Sequence, residues 1–219
     1  MAAAIGAALS LASGGAAAAD ETARQAARND YLFPRGGDFS ASAASGYPFL
    51  GIGELAYGVT DRFAIGAFGA ATPDVGGVKG TLAMGLRPRG VLFDTGAWRS
   101  TLMVPVLYYP DVKGFGDREP WMLVRPTLAL ERELPSGARV NVTLGLLGAA
   151  CMDSILSLGK EHVMMGGVWE TAGLGGALPI SSRTSVFAEA SLIMNGVVPA
   201  RDWIGGLPVV GFAGVTTTL

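Results

Sequence analysis

The sequence predicts an all-β chain: an antiparallel transmembrane β-barrel of ten strands, with eight and twelve as the alternative counts. Three observations carry this. Past the N-terminal segment, no stretch of 18 uninterrupted apolar residues exists, so helical membrane spans are excluded. Hydrophobicity from Tyr47 to Leu219 instead falls in pieces of about ten residues with period two, the pattern of strands that face lipid on one side. Short and long connections also alternate along most of the chain, as a membrane barrel requires and a soluble sandwich does not.

Composition narrows the chemistry before any motif is sought. The 219 residues include 33 glycines, about twice ordinary usage, without a Gly-X-Y repeat, so a collagen is excluded. Half of the residues are hydrophobic and 16% are charged, with a mean hydropathy of +0.40, too apolar for a disordered chain. Sixteen basic against eighteen acidic residues leave a net charge of −2 and no electrostatic footprint for nucleic acid. One cysteine, Cys151, excludes an internal disulfide framework and Cys-based zinc sites, and one histidine removes most metal sites and weakens most triads. No cofactor, metal or enzymatic activity is expected.

Residues 1–19 read as a signal peptide: an uncharged, alanine-rich run ends at Ala17-Ala18-Ala19 before Asp20, a small-x-small cleavage pattern. The competing reading is a low-complexity alanine tail, since no Lys or Arg follows Met1. Residues 20–36 form a polar lead-in, and the barrel occupies 37–219. Strands are expected near 37–44, 46–57, 62–72, 78–87, 98–108, 121–132, 138–149, 163–178, 183–195 and 208–219. The clearest alternation sets Met122, Val124, Pro126, Leu128 and Leu130 against Leu123, Arg125, Thr127, Ala129 and Glu131. Val140, Val142, Leu144 and Leu146 likewise oppose Asn141, Thr143, Gly145 and Leu147.

Gly58-Val59-Thr60-Asp61, Leu134-Pro135-Ser136-Gly137 and Pro179-Ile180-Ser181-Ser182 are tight turns by composition. The connections at 109–120, 150–162 and 196–207 are longer and polar. Two segments break the rhythm: 44–46 is short where a long loop is expected, and 88–97 is long unless strands extend past a bulge at Pro88. Tyr57, Trp98, Tyr108, Trp121 and Trp203 fall at or beyond strand ends, where interfacial rings gather in girdles.

The hairpin Leu55-Ala56-Tyr57-Gly58-Val59-Thr60-Asp61-Arg62-Phe63-Ala64-Ile65-Gly66 and the final strand Pro208–Leu219 resemble those of the small outer-membrane β-barrel proteins of Gram-negative bacteria. The first is similar to their Tyr-Gly-x-Thr-Asp-Arg periplasmic turns. The second is similar to the C-terminal strand read by the barrel-assembly machinery, with Leu219 where Phe or Trp is usual. The resemblance implies a porin-like outer-membrane location, periplasmic termini, outer-membrane lipid as surroundings, and the assembly machinery as partner during insertion.

With the apolar faces on lipid, eight charges point inward: Glu54, Arg62, Arg87, Arg99, Arg125, Glu131, Glu170 and Glu189. Their mixed signs favour salt-bridged side chains filling a narrow lumen over a charge-lined path, because unpaired buried charge is costly. The expected role is structural, adhesive or that of a narrow channel. A soluble exported barrel of lipocalin-like shape, apolar inside and binding an apolar ligand, is the first alternative. An outer-membrane hydrolase using His162 is the second, with Asp153, Ser154, Ser157 and Glu161 in the same loop, although such loops are commonly polar for solvation. Asp111, Asp117 and Glu119 match no calcium-loop spacing.

Overall fold

The computed structural model describes residues 33–47, 51–71, 82–112, 119–151, 166–196 and 209–219. Twelve strand segments lie along these residues: β1 (Phe39–Tyr47), β2 (Gly51–Thr60), β3 (Phe63–Ala71), β4 (Leu82–Asp94), β5 (Trp98–Met103), β6 (Val106–Val112), β7 (Glu119–Val124), β8 (Thr127–Glu133), β9 (Arg139–Cys151), β10 (Gly166–Pro179), β11 (Thr184–Gly196) and β12 (Val209–Thr218). They make ten staves. A proline lacks the N–H that a ladder needs, so Pro105 separates β5 from β6 and Pro126 separates β7 from β8. Each pair nonetheless continues one stave: β4 pairs with both β5 and β6, and β9 with both β8 and β7. Carbonyls at the breaks stay bonded, with Arg125 N–H donating to Pro105 O at 2.9 Å and Leu146 N–H to Pro126 O at 3.0 Å.

Every pairing between strands is antiparallel, and β12 returns to β1 in a register that runs from Ser40↔Thr218 to Tyr47↔Gly211. The sheet therefore closes, leaving no edge. The fold is an all-β, ten-stranded, closed antiparallel barrel, as the alternation of the sequence predicts.

The connections sort by length onto the two ends. At one end lie the tight turns after β2, β4, β8 and β10, together with the starts of β1 and β5 and the finish of β12. Thr60 Oγ1 accepts the Arg62 N–H at 3.1 Å, and Asp94 Oδ1 accepts the Gly96 N–H at 2.8 Å. Gly96 and Gly137 turn these corners at φ of 82° and 78°, a conformation costly for other residues. All longer connections leave from the opposite end. The segment at 88–97 obeys the rule because β4 runs on to Asp94 through a bulge near Val91–Phe93, leaving a turn of 95–97. The short connection expected at 44–46 is strand instead: β1 reaches Tyr47, and the connection at 48–50 lies outside the described residues.

Exterior and interior chemistry settle the orientation of the faces. Leu55, Leu82, Met84, Leu144 and Leu174 all point outward, Leu82 being 69% exposed. Glu54, Arg89, Glu131, Arg139 and Asn141 point inward and are buried. This is opposite to a soluble barrel with an apolar interior, so the lipocalin-like arrangement is not the one adopted.

Candidate functional site

The interior gathers buried charge, and its contents are layered. Near the long-connection end, Tyr109, Trp121, Trp169 and Ile193 are buried against one another, with Ile52, Leu107, Leu123 and Val210 packed around them. Nine of the ten staves contribute to this apolar layer, which spans the cross-section. Lower down, Met103, Ala129, Phe187 and Phe212 form a second apolar cluster. Phe187 and Phe212 meet edge to face at 6.3 Å. They have room because β1 presents only Ser40, Ser42 and Ala44 to the lumen.

Charged groups fill what remains. Glu54 on β2 receives Arg87 Nη1 at 3.2 Å through Oε2 and Arg89 Nη2 through Oε1. Gly66 on β3 makes this possible: a Cβ there would run into the Glu54 carboxylate and stand 3.1 Å from Arg89 Nη2. Arg87 also lies over the Phe68 ring at 4.9 Å, a cation–π contact. Arg125 donates to Ser191 Oγ at 2.9 Å, with Glu189 as an attracting countercharge. Toward the short-turn end, Arg139 reaches Glu131 Oε1 at 3.5 Å and Glu133 Oε2 at 3.2 Å, while Arg99 holds Asp94 at 2.7 Å.

Residues 33–36, the end of the lead-in, and Gly37 and Asp38 after them fold back as a strap into this end. Phe33 and Pro34 are buried, Gly37 N–H donates to Gly58 O at 2.7 Å, and Gly58 N–H to Asp38 O at 3.0 Å. A side chain at Gly58 would meet the carbonyls of Pro34 and Arg35, so the strap requires glycine there.

Of the eight charges expected inside, Glu54, Arg87, Arg99, Arg125, Glu131 and Glu189 line the lumen or its short-turn mouth. Two do not. β3 begins at Phe63, so Arg62 sits exposed in the preceding turn rather than on the inner face. Glu170 pairs with outward Leu146 and is itself exposed on the outer face, beside Val168 and Leu174. It stands about 23 Å up the barrel from the turn after Pro179, at ~3.3 Å per residue and a tilt of about 40°.

Two lumen residues escaped the sequence reading. Arg89 lies beyond Pro88, where the strand was expected to have ended, and Arg139 opens β9 on the face of Asn141 and Thr143. Period two marks Arg89 as inward once the strand is extended past Pro88, and it marks Arg139 within the expected strand 138–149 as it stands. Among the expected interfacial aromatics, Tyr57, Trp98 and Tyr108 face outward and are partly exposed. Phe39 stacks on Tyr57 at 4.7 Å, and Arg132 covers Trp98 at 5.3 Å, both at the short-turn end. Trp121 is a correction: it points into the lumen, 4% exposed, because its partner residue Tyr109 is inward. Trp203 and His162, with Asp153, Ser154, Ser157 and Glu161, lie outside the described residues.

No protein-family model matches the chain, and no curated protein matches it. Among solved structures it is similar to the outer membrane protease OmpT from Escherichia coli, with a TM-score of 0.40 and 11% identity, over 84% of this chain and 94% of that one. The barrel assignment rests on the strand pairing and closure described above. The expectation that the chain is not an enzyme is withdrawn: the solved barrel it is similar to is a protease. Nothing of the protease's activity or site is transferred to this chain.

Proposed function

We propose that the chain is an integral outer-membrane protein with a side-chain-filled lumen and a structural role: a barrel that anchors long connections at one face of the bilayer. The observation that carries this reading is the inversion of faces, apolar outside and charged inside, around a closed sheet. Bilayer lipid covers the outer belt. Residues 1–19 direct export, the assembly machinery inserts the barrel, and the short turns and both chain ends face the periplasm. The long connections then face the outside.

The filled lumen favours an anchor over a conduit. A water path would have to cross the layer of Tyr109, Trp121, Trp169 and Ile193, whose apolar walls disfavour wetting. It would also have to part the Glu54–Arg87–Arg89 cluster. Reconstituted in planar bilayers, the purified chain is expected to give no stable conductance steps. Steady, voltage-tolerant open steps would overturn the filled-lumen reading and make the protein a channel.

A further inference from the structure

The hairpin β6–β7 is marked off from the rest of the wall by prolines. Val104-Pro105 precedes β6 and Arg125-Pro126 follows β7, and none of these four residues is part of a strand. A third proline, Pro88 on the neighbouring stave, completes a line beneath the hairpin. The registers on either side of the breaks put Pro88 opposite Val104, Pro105 opposite Arg125 and Pro126 opposite Leu146. In an antiparallel ladder a hydrogen-bonded pair of this kind exchanges two bonds. Here each pair keeps one: Val104 N–H donates to Pro88 O at 3.0 Å, Arg125 N–H to Pro105 O at 2.9 Å and Leu146 N–H to Pro126 O at 3.0 Å. The return bond is missing from all three, because proline has no N–H. Successive ladders from β4 to β9 are thus weakened along one line.

Above the line, the hairpin is joined to β4 by the short register from Met84↔Tyr108 to Leu86↔Val106, and to β9 by that from Trp121↔Cys151 to Val124↔Gly148. Its inward side chains, Leu107, Tyr109, Trp121 and Leu123, belong to the upper apolar layer, whose other large members Trp169 and Ile193 stand on β10 and β11. At the line itself the chain is held. Arg125 donates to Ser191 Oγ on β11 at 2.9 Å. Its carbonyl, deprived of an N–H from Pro105, accepts Thr127 Oγ1 at 3.0 Å instead. The pivot is therefore tied to the far wall, below the rings that the hairpin carries.

We propose that β6–β7 is a gate that swings about the line of Pro88, Pro105 and Pro126, withdrawing Tyr109 and Trp121 from the apolar layer and opening the upper lumen toward the long-connection end. The Glu54–Arg87–Arg89 cluster and the lower apolar cluster stay in place beneath it, so the opened space is a pocket and not a through-path. The inference needs only the closed sheet and is independent of the anchor role.

The test is hydrogen–deuterium exchange of the folded full chain in detergent, read by amide position. The amides of Val106–Val112 and Glu119–Val124 should exchange together, at least about tenfold faster than those of residues 166–168, which flank the same stretch of β9 from its other side. The rate should step at Pro105 and at Pro126. Pro88→Val combined with Pro126→Val returns an N–H to each ladder that ties the hairpin down. That pair should slow hairpin exchange at least about fivefold and leave β10 unchanged. Should it fail to fold, Ile193→Cys on a Cys151→Ser background gives a second measurement: a water-soluble maleimide should label it in the folded barrel, although Ile193 is only 6% exposed. A rate that rises smoothly toward the strand ends, equal rates in β7 and β10, hairpin exchange unmoved by the valines, or an unlabelled thiol at position 193 would mean that the plug is fixed, and the proposal would fall.

Discussion

Replacing Glu54 by alanine should lower the free energy of unfolding by about 3–5 kcal/mol in a urea titration of the folded barrel in lipid vesicles. The magnitude follows from what is left behind. Arg89 is 2% exposed and forms an ion pair with Glu54, and Arg87 at 3.2 Å shares the same carboxylate. Removing the anion leaves two cations close together inside a closed wall, where water cannot fully solvate them. The loss should exceed anything the pair itself contributes, because a buried ion pair gains little over apolar packing while a stranded charge costs much. Glu54→Leu combined with Arg89→Met should therefore recover most of the lost stability. A single-variant loss under about 1 kcal/mol would show that solvent reaches the cluster and that the lumen is wet rather than filled.

Leu144→Arg should destabilise the barrel in a bilayer by about 2–4 kcal/mol, measured as the shift in urea midpoint against the parent. Leu144 is 57% exposed and stands midway up β9 on the outer face, between Val142 and Leu146. On a protein in water, an exposed substitution of this kind stays within about 0.5 kcal/mol. The same residue change thus separates lipid from water on that face. Thr143→Ser, one residue away but pointing inward, should cost less than the arginine does.

The strand content and the choice of faces were legible because period two survives even in a glycine-rich chain. Val140, Val142, Leu144 and Leu146 announce one face without any structural knowledge. The errors fall where that local rule meets non-local geometry. Pro88 reads as a terminus, yet β4 passes through it because the proline's missing N–H is tolerated in the ladder while its carbonyl still accepts from Val104 at 3.0 Å. That one extension hid Arg89. Trp121 reads as an interfacial ring by its place near a strand end, whereas its face is fixed by pairing with Tyr109 across a loop. Glu170 reads as inward for its charge, whereas its parity with Val168 and Leu174 puts it on the outer face.

The inverted barrel is tested most directly by fractionating Gram-negative cells that express the full chain and running the product on a detergent gel with and without boiling. The expected result is recovery in the outer membrane with a heat-dependent change in mobility, because a closed barrel resists unfolding by cold detergent. Recovery as a soluble periplasmic protein with no mobility change would contradict the lipid-facing exterior, and with it the anchor reading.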